Sequence, residues 1–324
     1  MNTWSTRKKF FFALIFFILG GMVYKGYKSY SVSESSRSIS KNEILHLELN
    51  GVIMNGKKFL SQLKKYSKDA SVKAIVIDIN SPGGAVGPSQ EIFTEIKRTK
   101  AETGKPVICV STGLIASGGY YSALACDKII VAPGTMIGSI GVIMEFANLE
   151  KLYDWAKISR YTIKSGKFKD SGAEYRAMRD DERALFQDMI NEVYAQFRDT
   201  VVAERKLDVA TVNAYADGRV MTGAKAVQLK FADEIGTFED AVRLAAADAK
   251  LGKDDYKLFK PRREKASIMD YLFTDEDDDE LNSLSEVKAL LGASKGASLK
   301  EMTEMFLKTK YLNQPLYLMP GYWQ

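Results

Sequence analysis

Two spacings of apolar residues alternate along the chain from residue 43 onward. EILHLELN, KAIVIDIN (73–80), PVICVS (106–111), KIIVA (128–132) and YTIKSG (161–166) are short apolar or alternating runs of strand length. Between them, FLSQLKKYS, SQEIFTEIKRTKAE and GYYSALAC repeat apolar side chains every three or four positions, the period of one helix face. Strand, helix, strand repetition predicts an α/β domain with a largely parallel sheet and right-handed crossovers. Residues 174–205 continue with apolar positions such as Leu185, Met189, Val193 and Phe197 at i, i+4, which predicts a helix pair packed on the sheet or on a neighbour.

The two ends follow other patterns. FFFALIFFILGGMVY, residues 10–24, holds fifteen uncharged residues between Arg7, Lys8, Lys9 and the lysines at 25 and 28. Trp4, Tyr24, Tyr27 and Tyr30 can occupy the membrane interfaces and the lysines can snorkel. With no A-x-A cleavage site following, a retained single-pass anchor is expected over a cleaved signal peptide, with the start of the chain inside and everything after Lys25 outside. The expected organisation is a cytoplasmic start and anchor over 1–28, a serine-rich tether over 29–42, a catalytic α/β domain over 43–262, and a C-terminal assembly region over 263–324. That last region contains a solvated acidic loop, DEDDDE (275–280), helical stretches near 281–292 and 298–309, and the apolar tail QPLYLMPGYWQ, which wants a partner surface.

Composition narrows the function classes. A net charge of +5 from 46 basic and 41 acidic residues, dispersed over 324 positions, is too mild for nucleic-acid binding. The two cysteines, Cys109 and Cys126, lack CxxC spacing and read as buried free thiols. No pattern calls for a metal or a cofactor. The chain has a single histidine, His46, inside the first strand, where a structural role fits better than a catalytic one. A Ser-His-Asp triad is therefore not expected.

Candidate chemistry lies in two glycine-containing turns after core strands. INSPGGAVGPSQEI exposes backbone N–H groups at Gly83 and Gly84 before a helix, and LIASGGYYSALAC places Ser117 and Gly118 where a strand gives way to a helix. Parallel strands bring such turns to one edge of the sheet, so the Gly84 and Gly118 N–H groups are candidates for an oxyanion hole beside a Ser117 nucleophile. A serine hydroxyl still needs a base, and a lysine in a dry site can serve because burial disfavours the ammonium. YTIKSGKFKDSG offers Lys164, Lys167 and Lys169, and composition does not choose among them.

INSPGG, ASGGYY, GTMIGSIGV, the IKSGKFKD region, ADGRVMTGAKAVQLKFADEIG and the closing LYLMPG, taken in this order, resemble the signal peptide peptidase family of Ser/Lys membrane proteases. The resemblance implies that Ser117 is the nucleophile, Lys169 the general base, and Ser139 the group that holds the lysine. It implies a fold similar to Clp protease and crotonase, and a short single-copy form whose protomers assemble into a ring or dome with active sites shared between adjacent subunits. It also implies hydrophobic signal peptides as substrates, no cofactor, and a bacterial cytoplasmic membrane location with the catalytic domain on the outer side. Two alternatives remain: a crotonase-like acyl-CoA enzyme using the same paired N–H groups, and a catalytically silent membrane scaffold.

Overall fold

The computed structural model describes residues 41–253, 255–261 and 315–318. The expected anchor, most of the tether, the acidic stretch 275–280 and the helical stretches near 281–292 and 298–309 lie outside the described residues. Among the described residues, no helix is long and apolar enough to cross a membrane.

The central sheet is six-stranded and parallel throughout, in the order β10-β1-β2-β4-β6-β9. Its members are β1 (Glu43–Asn50), β2 (Val72–Asn80), β4 (Val107–Ser111), β6 (Lys128–Val131), β9 (Glu234–Ile235) and β10 (Lys257–Phe259). Alternation along the strands sends side chains to two faces, and both are buried. Leu45, Leu47, Ile75, Ile77, Cys109 and Ile129 face one core, shared with α1 (Lys57–Tyr66), α2 (Val86–Thr103) and α5 (Asp180–Arg205) through Leu63, Ile92 and Phe197. Ile44, Val76, Ile108, Val110 and Ile130 face the other, covered by the Ala241, Val242, Ala245 and Ala246 stripe of α8 (Phe238–Asp248). The small residues on α8 let the helix lie close to the β-branched surface.

Beyond the C-terminal ends of the central strands the chain builds two small additional sheets. β5 (Leu114–Ala116) pairs in parallel with β7 (Met136–Gly138), which pairs antiparallel with β8 (Val220–Thr222). β3 (Gly83–Ala85) pairs antiparallel with β11 (Leu316–Leu318), a piece of the C-terminal tail. Short helices complete the described chain: α3 (Gly118–Ala123), α4 (Glu150–Ala156), α6 (Val209–Asn213) and α7 (Gly223–Gln228).

Three sequence expectations are corrected. Residues 161–166 form no strand: Tyr161 is 91% and Ile163 103% exposed, with no sheet neighbour among the described residues to supply ladder hydrogen bonds. The 174–205 pattern yields one helix of 26 residues, α5, rather than a pair. Its core contacts come from Phe197 and Val201, while Leu185 is 44% exposed. Cys109 and Cys126 are not free thiols but a disulfide, with Cα atoms 5.9 Å apart. Their separation of 17 residues hid the pairing. The chain leaves β4, makes β5 and α3, and returns so that the residues just after α3 lie beside Cys109. Closing a loop of that length stabilises the fold by about 3 kcal/mol. Reductant is expected to lower the urea midpoint accordingly, and alkylation of both thiols in unreduced protein would show that the bond does not form.

Candidate active site

The strand-to-helix passage at 114–123 is organised around an unusual backbone. Ser117 follows β5 directly and adopts φ 51° and ψ −118°, a region that non-glycine residues avoid. Such a turn displays the side chain of the turning residue on a sharp corner. Its cost, of order 1–3 kcal/mol, is sustained by the surroundings. The Ser117 N–H donates to the Gly138 carbonyl at 2.8 Å, and the Tyr120 hydroxyl, buried under α3, donates to the Phe231 carbonyl at 2.8 Å. Desolvation raises the Tyr120 pKa further above the ordinary phenol value, which keeps this hydroxyl a donor. Ser117 is fully buried in the single chain, and its Oγ has no hydrogen-bond partner. A buried, unsatisfied hydroxyl costs about 1–3 kcal/mol, so it is rare in a residue that only supports the fold.

The other glycine turn arrives at the same place. Asn80 ends β2, and Ser81 Oγ donates to the Gly51 carbonyl at 2.7 Å while accepting from the Gly83 N–H at 3.1 Å. Gly83 has φ +99°, and a Cβ there would lie 2.6 Å from the Gly118 nitrogen and 3.0 Å from Ser117 Cβ. A Cβ on Gly118 would lie 3.2 Å from the Gly84 nitrogen. The structure thus brings Ser117, Gly84 and Gly118 into one cluster, as the sequence predicts, and adds Gly83, which that reading did not select as a site residue.

Ser139 joins them. Ala116 and Gly138 are partners in the parallel β5–β7 ladder, so Ser117 and Ser139 leave neighbouring strands side by side. Ser139 also has φ 51° and is buried, its N–H donating to the Arg219 carbonyl at 2.8 Å.

A peptide segment already lies in this cluster. Leu316–Leu318 pairs with β3 on one side, and on the other Leu316 exchanges both backbone hydrogen bonds with Ile143, at 2.9 and 3.0 Å. The Tyr317 carbonyl oxygen falls 3.2 Å from the position of a Gly118 Cβ, and the Tyr317 side chain is fully buried against Tyr121 and Phe197. The sequence predicts an apolar tail in need of a surface; its described part, 315–318, lies in the slot beside Ser117.

A protein-family model for peptidase family S49 matches residues 99–252, and one for Clp protease matches residues 28–137. A protein of Synechocystis named for protease activity is 37% identical over 223 residues, covering 68% of this chain and 80% of that relative. An Enterococcus faecium protein named for signal peptide peptidase A is 32% identical over 240 residues, covering 69% and 70% respectively. This chain belongs to peptidase family S49. Protease 4 of Salmonella typhi is also similar, 30% identical over 237 residues, but the match covers only 38% of that longer protein. The parallel α/β architecture fits the Clp protease-like fold, and the enzyme is a serine protease. This decides against the acyl-CoA and scaffold alternatives.

The three candidate lysines of the S49 peptidase are distinguished by their partners. Lys164 pairs with Asp170, and Lys167 with Asp181 at 2.5 Å. Asp170 is engaged by Arg176 as well, and the hydrogen bond from Lys164 with these neighbours holds its carboxyl down at about 2. Lys169 has no ion pair among the described residues and is exposed on the loop surface. The single chain therefore does not join Lys169 to Ser117. Along the same stretch of chain, Trp155 (79% exposed), Ile158, Tyr161, Ile163 and Phe168 are exposed apolar side chains. His46 lies elsewhere, on the α8 side of the sheet against the Phe238 ring.

Packing against backbone atoms requires glycine at Gly83, where a Cβ would meet the Tyr317 carbonyl oxygen at 2.0 Å, and at Gly84. A Cβ on Gly84 would meet the Ile53 carbonyl oxygen at 2.1 Å and its carbon at 2.5 Å, both backbone atoms. Gly84→Ala is expected to cost about 2–3 kcal/mol in denaturant unfolding. Gly118→Ala meets the Ser89 hydroxyl, the end of a side chain that can rotate, and is expected to cost less.

Proposed function

We propose that this S49 peptidase is a membrane-anchored endopeptidase with a Ser117/Lys169 dyad, assembled so that each site takes its serine from one copy and its lysine from the next. The observation that carries this reading is the buried, unpartnered Ser117 Oγ on a strained corner beside the Gly84 and Gly118 nitrogens. Ser117 attacks a peptide carbonyl, and its proton passes to the unprotonated amine of Lys169. The two glycine N–H groups receive the developing oxyanion. Lysine then protonates the leaving amine and activates the water that releases the acyl group. Ser139, beside Ser117 in the β5–β7 register, is suited to hold the incoming amine through its hydroxyl.

Exposure of Lys169 and of the apolar residues along the same stretch of chain supports a second copy as their cover. The pairing of Leu316–Leu318 between β3 and Ile143 supports an extended apolar peptide as the substrate class, bound by strand addition. Hydrophobic signal peptides left in the bilayer meet that description. The apolar stretch at 10–24 is the proposed anchor, with residues 1–28, 29–42, 43–262 and 263–324 as anchor, tether, catalytic domain and assembly region. The Cys109–Cys126 bond supports placing the catalytic domain on the oxidising, extracytoplasmic side of a bacterial inner membrane.

A serine-directed acylating probe tests the dyad. It is expected to label Ser117 in the assembled wild type and to leave Lys169→Ala unlabelled. Labelling of equal rate and extent in both would remove Lys169 as the base.

A further inference from the structure

On the opposite side of the central sheet from Ser117, His46, Glu48 and Asp78 gather around one point. His46 and Glu48 are alternate residues of β1 and share a face, and the parallel register sets Glu48 directly beside Asp78 of β2. The His46 side chain is 9% exposed, with the Phe238 ring packed on it at a centroid distance of 4.5 Å. Its Nε2 has no hydrogen-bond partner, and it points at Asp78, whose Oδ2 is 3.9 Å away. One ligand-capable atom from each of the three side chains lies within 4.8 Å of the others. The two carboxylates keep part of their surface open to solvent, at 30% for Glu48 and 36% for Asp78, which leaves an entry path.

We infer that His46, Glu48 and Asp78 form a binding site for one zinc-class divalent cation, separate from the peptidase centre. Bond lengths of about 2.0–2.2 Å to nitrogen and oxygen put tetrahedral ligands about 3.3 Å apart, so small rotations of the carboxylates close the set. One imidazole and two carboxylates match a borderline ion better than a hard one, and a fourth position is open to water. Burial lowers the His46 pKa, with Lys260 adding to the effect, which favours the neutral, ligating imidazole. Burial and then Glu48 raise that of Asp78, the strain of two acids facing one another that a cation relieves. Among the described residues Lys260 opposes the ion: its Nζ sits 2.7 Å from Glu48 Oε1 and must yield as the ion enters. A bound ion ties β1 to β2 three residues before the Ser81 turn.

The composition makes the test clean. His46 is the only histidine and both cysteines are in the disulfide, so no other imidazole or thiol competes in oxidised protein. Full-length protein in detergent is equilibrated with zinc chloride, desalted and assayed for metal, and cobalt chloride gives a visible spectrum that reports the coordination number and geometry of the bound ion. One zinc per chain is expected, unchanged in Ser117→Ala, which separates this site from the active centre. His46→Ala and Asp78→Asn are each expected to weaken binding about 100-fold or more, and Lys260→Ala to tighten it by removing the competing cation. If His46→Ala does not fold, Asp78→Asn, Lys260→Ala and the shift of the single imidazole's proton resonances on adding zinc carry the test. Absence of stoichiometric zinc, equal affinity in the variants, or binding that disappears only when the acidic residues 275–280 are neutralised would overturn the assignment.

Discussion

Ser117→Ala is expected to reduce peptide hydrolysis by about 10,000- to 1,000,000-fold while leaving the protein folded. The loss follows because no other hydroxyl in the cluster is presented on the same corner between the Gly84 and Gly118 nitrogens, and because those donors alone retain only a residue of transition-state stabilisation. Stability behaves differently. The Ser117 Oγ is buried without a partner, so its removal relieves an unsatisfied polar group, while the methyl group of alanine occupies the space already held by Cβ. Alanine at φ 51° bears about the strain that serine does. The melting temperature is therefore expected to stay level or rise as activity vanishes, and calorimetry beside a fluorogenic peptide assay reads both. A large drop in melting temperature with proportionate loss of activity would make Ser117 a structural residue.

The second large effect concerns Lys169. Arginine and alanine at this position are both expected to abolish turnover, arginine because a guanidinium does not give up its proton at accessible pH. An exposed side chain without an ion pair among the described residues contributes little to the fold, so either change is expected to move stability by less than about 0.5 kcal/mol. The geometry adds a sharper test. If serine and lysine come from adjacent copies around a ring, co-expressing Ser117→Ala with Lys169→Ala in equal amounts leaves about a quarter of the interfaces with both intact groups. Roughly a quarter of wild-type activity is expected from two inactive chains. Zero recovery in an assembly proven to be mixed would place both groups of each site in one chain.

Much of the catalytic core could be read locally. The apolar runs that became β1, β2, β4 and β6 are buried on both faces of a parallel sheet, so hydrophobic pattern and length marked them without tertiary information. Ser117, Gly84 and Gly118 were legible because strand-turn-helix passages carry their own signature, small residues at a sharp corner. YTIKSG looked like a strand on the same criteria, but a strand needs a neighbour, and the single chain provides none at 161–166. Its apolar residues instead remain on the surface, in the same stretch of chain as Lys169.

Other features depended on contacts between distant positions. Cys109 and Cys126 carry no spacing signal, and their pairing comes from the return of the chain after α3. The tail segment LYL advertised only its hydrophobicity. Its place between β3 and Ile143 is set by unpaired backbone groups more than 170 residues away in sequence, together with a pocket for the Tyr317 ring.

By itself the sequence determined the α/β order of elements, the two glycine corners and the scarcity of histidine that disfavours a triad, since periodicity, turn chemistry and composition are properties of neighbouring residues. Tertiary structure alone decided that the two corners meet, that the Ser117 hydroxyl is buried without a partner, that Lys169 stands apart from it, and that Asp78 of β2 comes beside His46 and Glu48 of β1. Those facts are distances between parts of the chain that share no local pattern, and only the packed sheet fixes them.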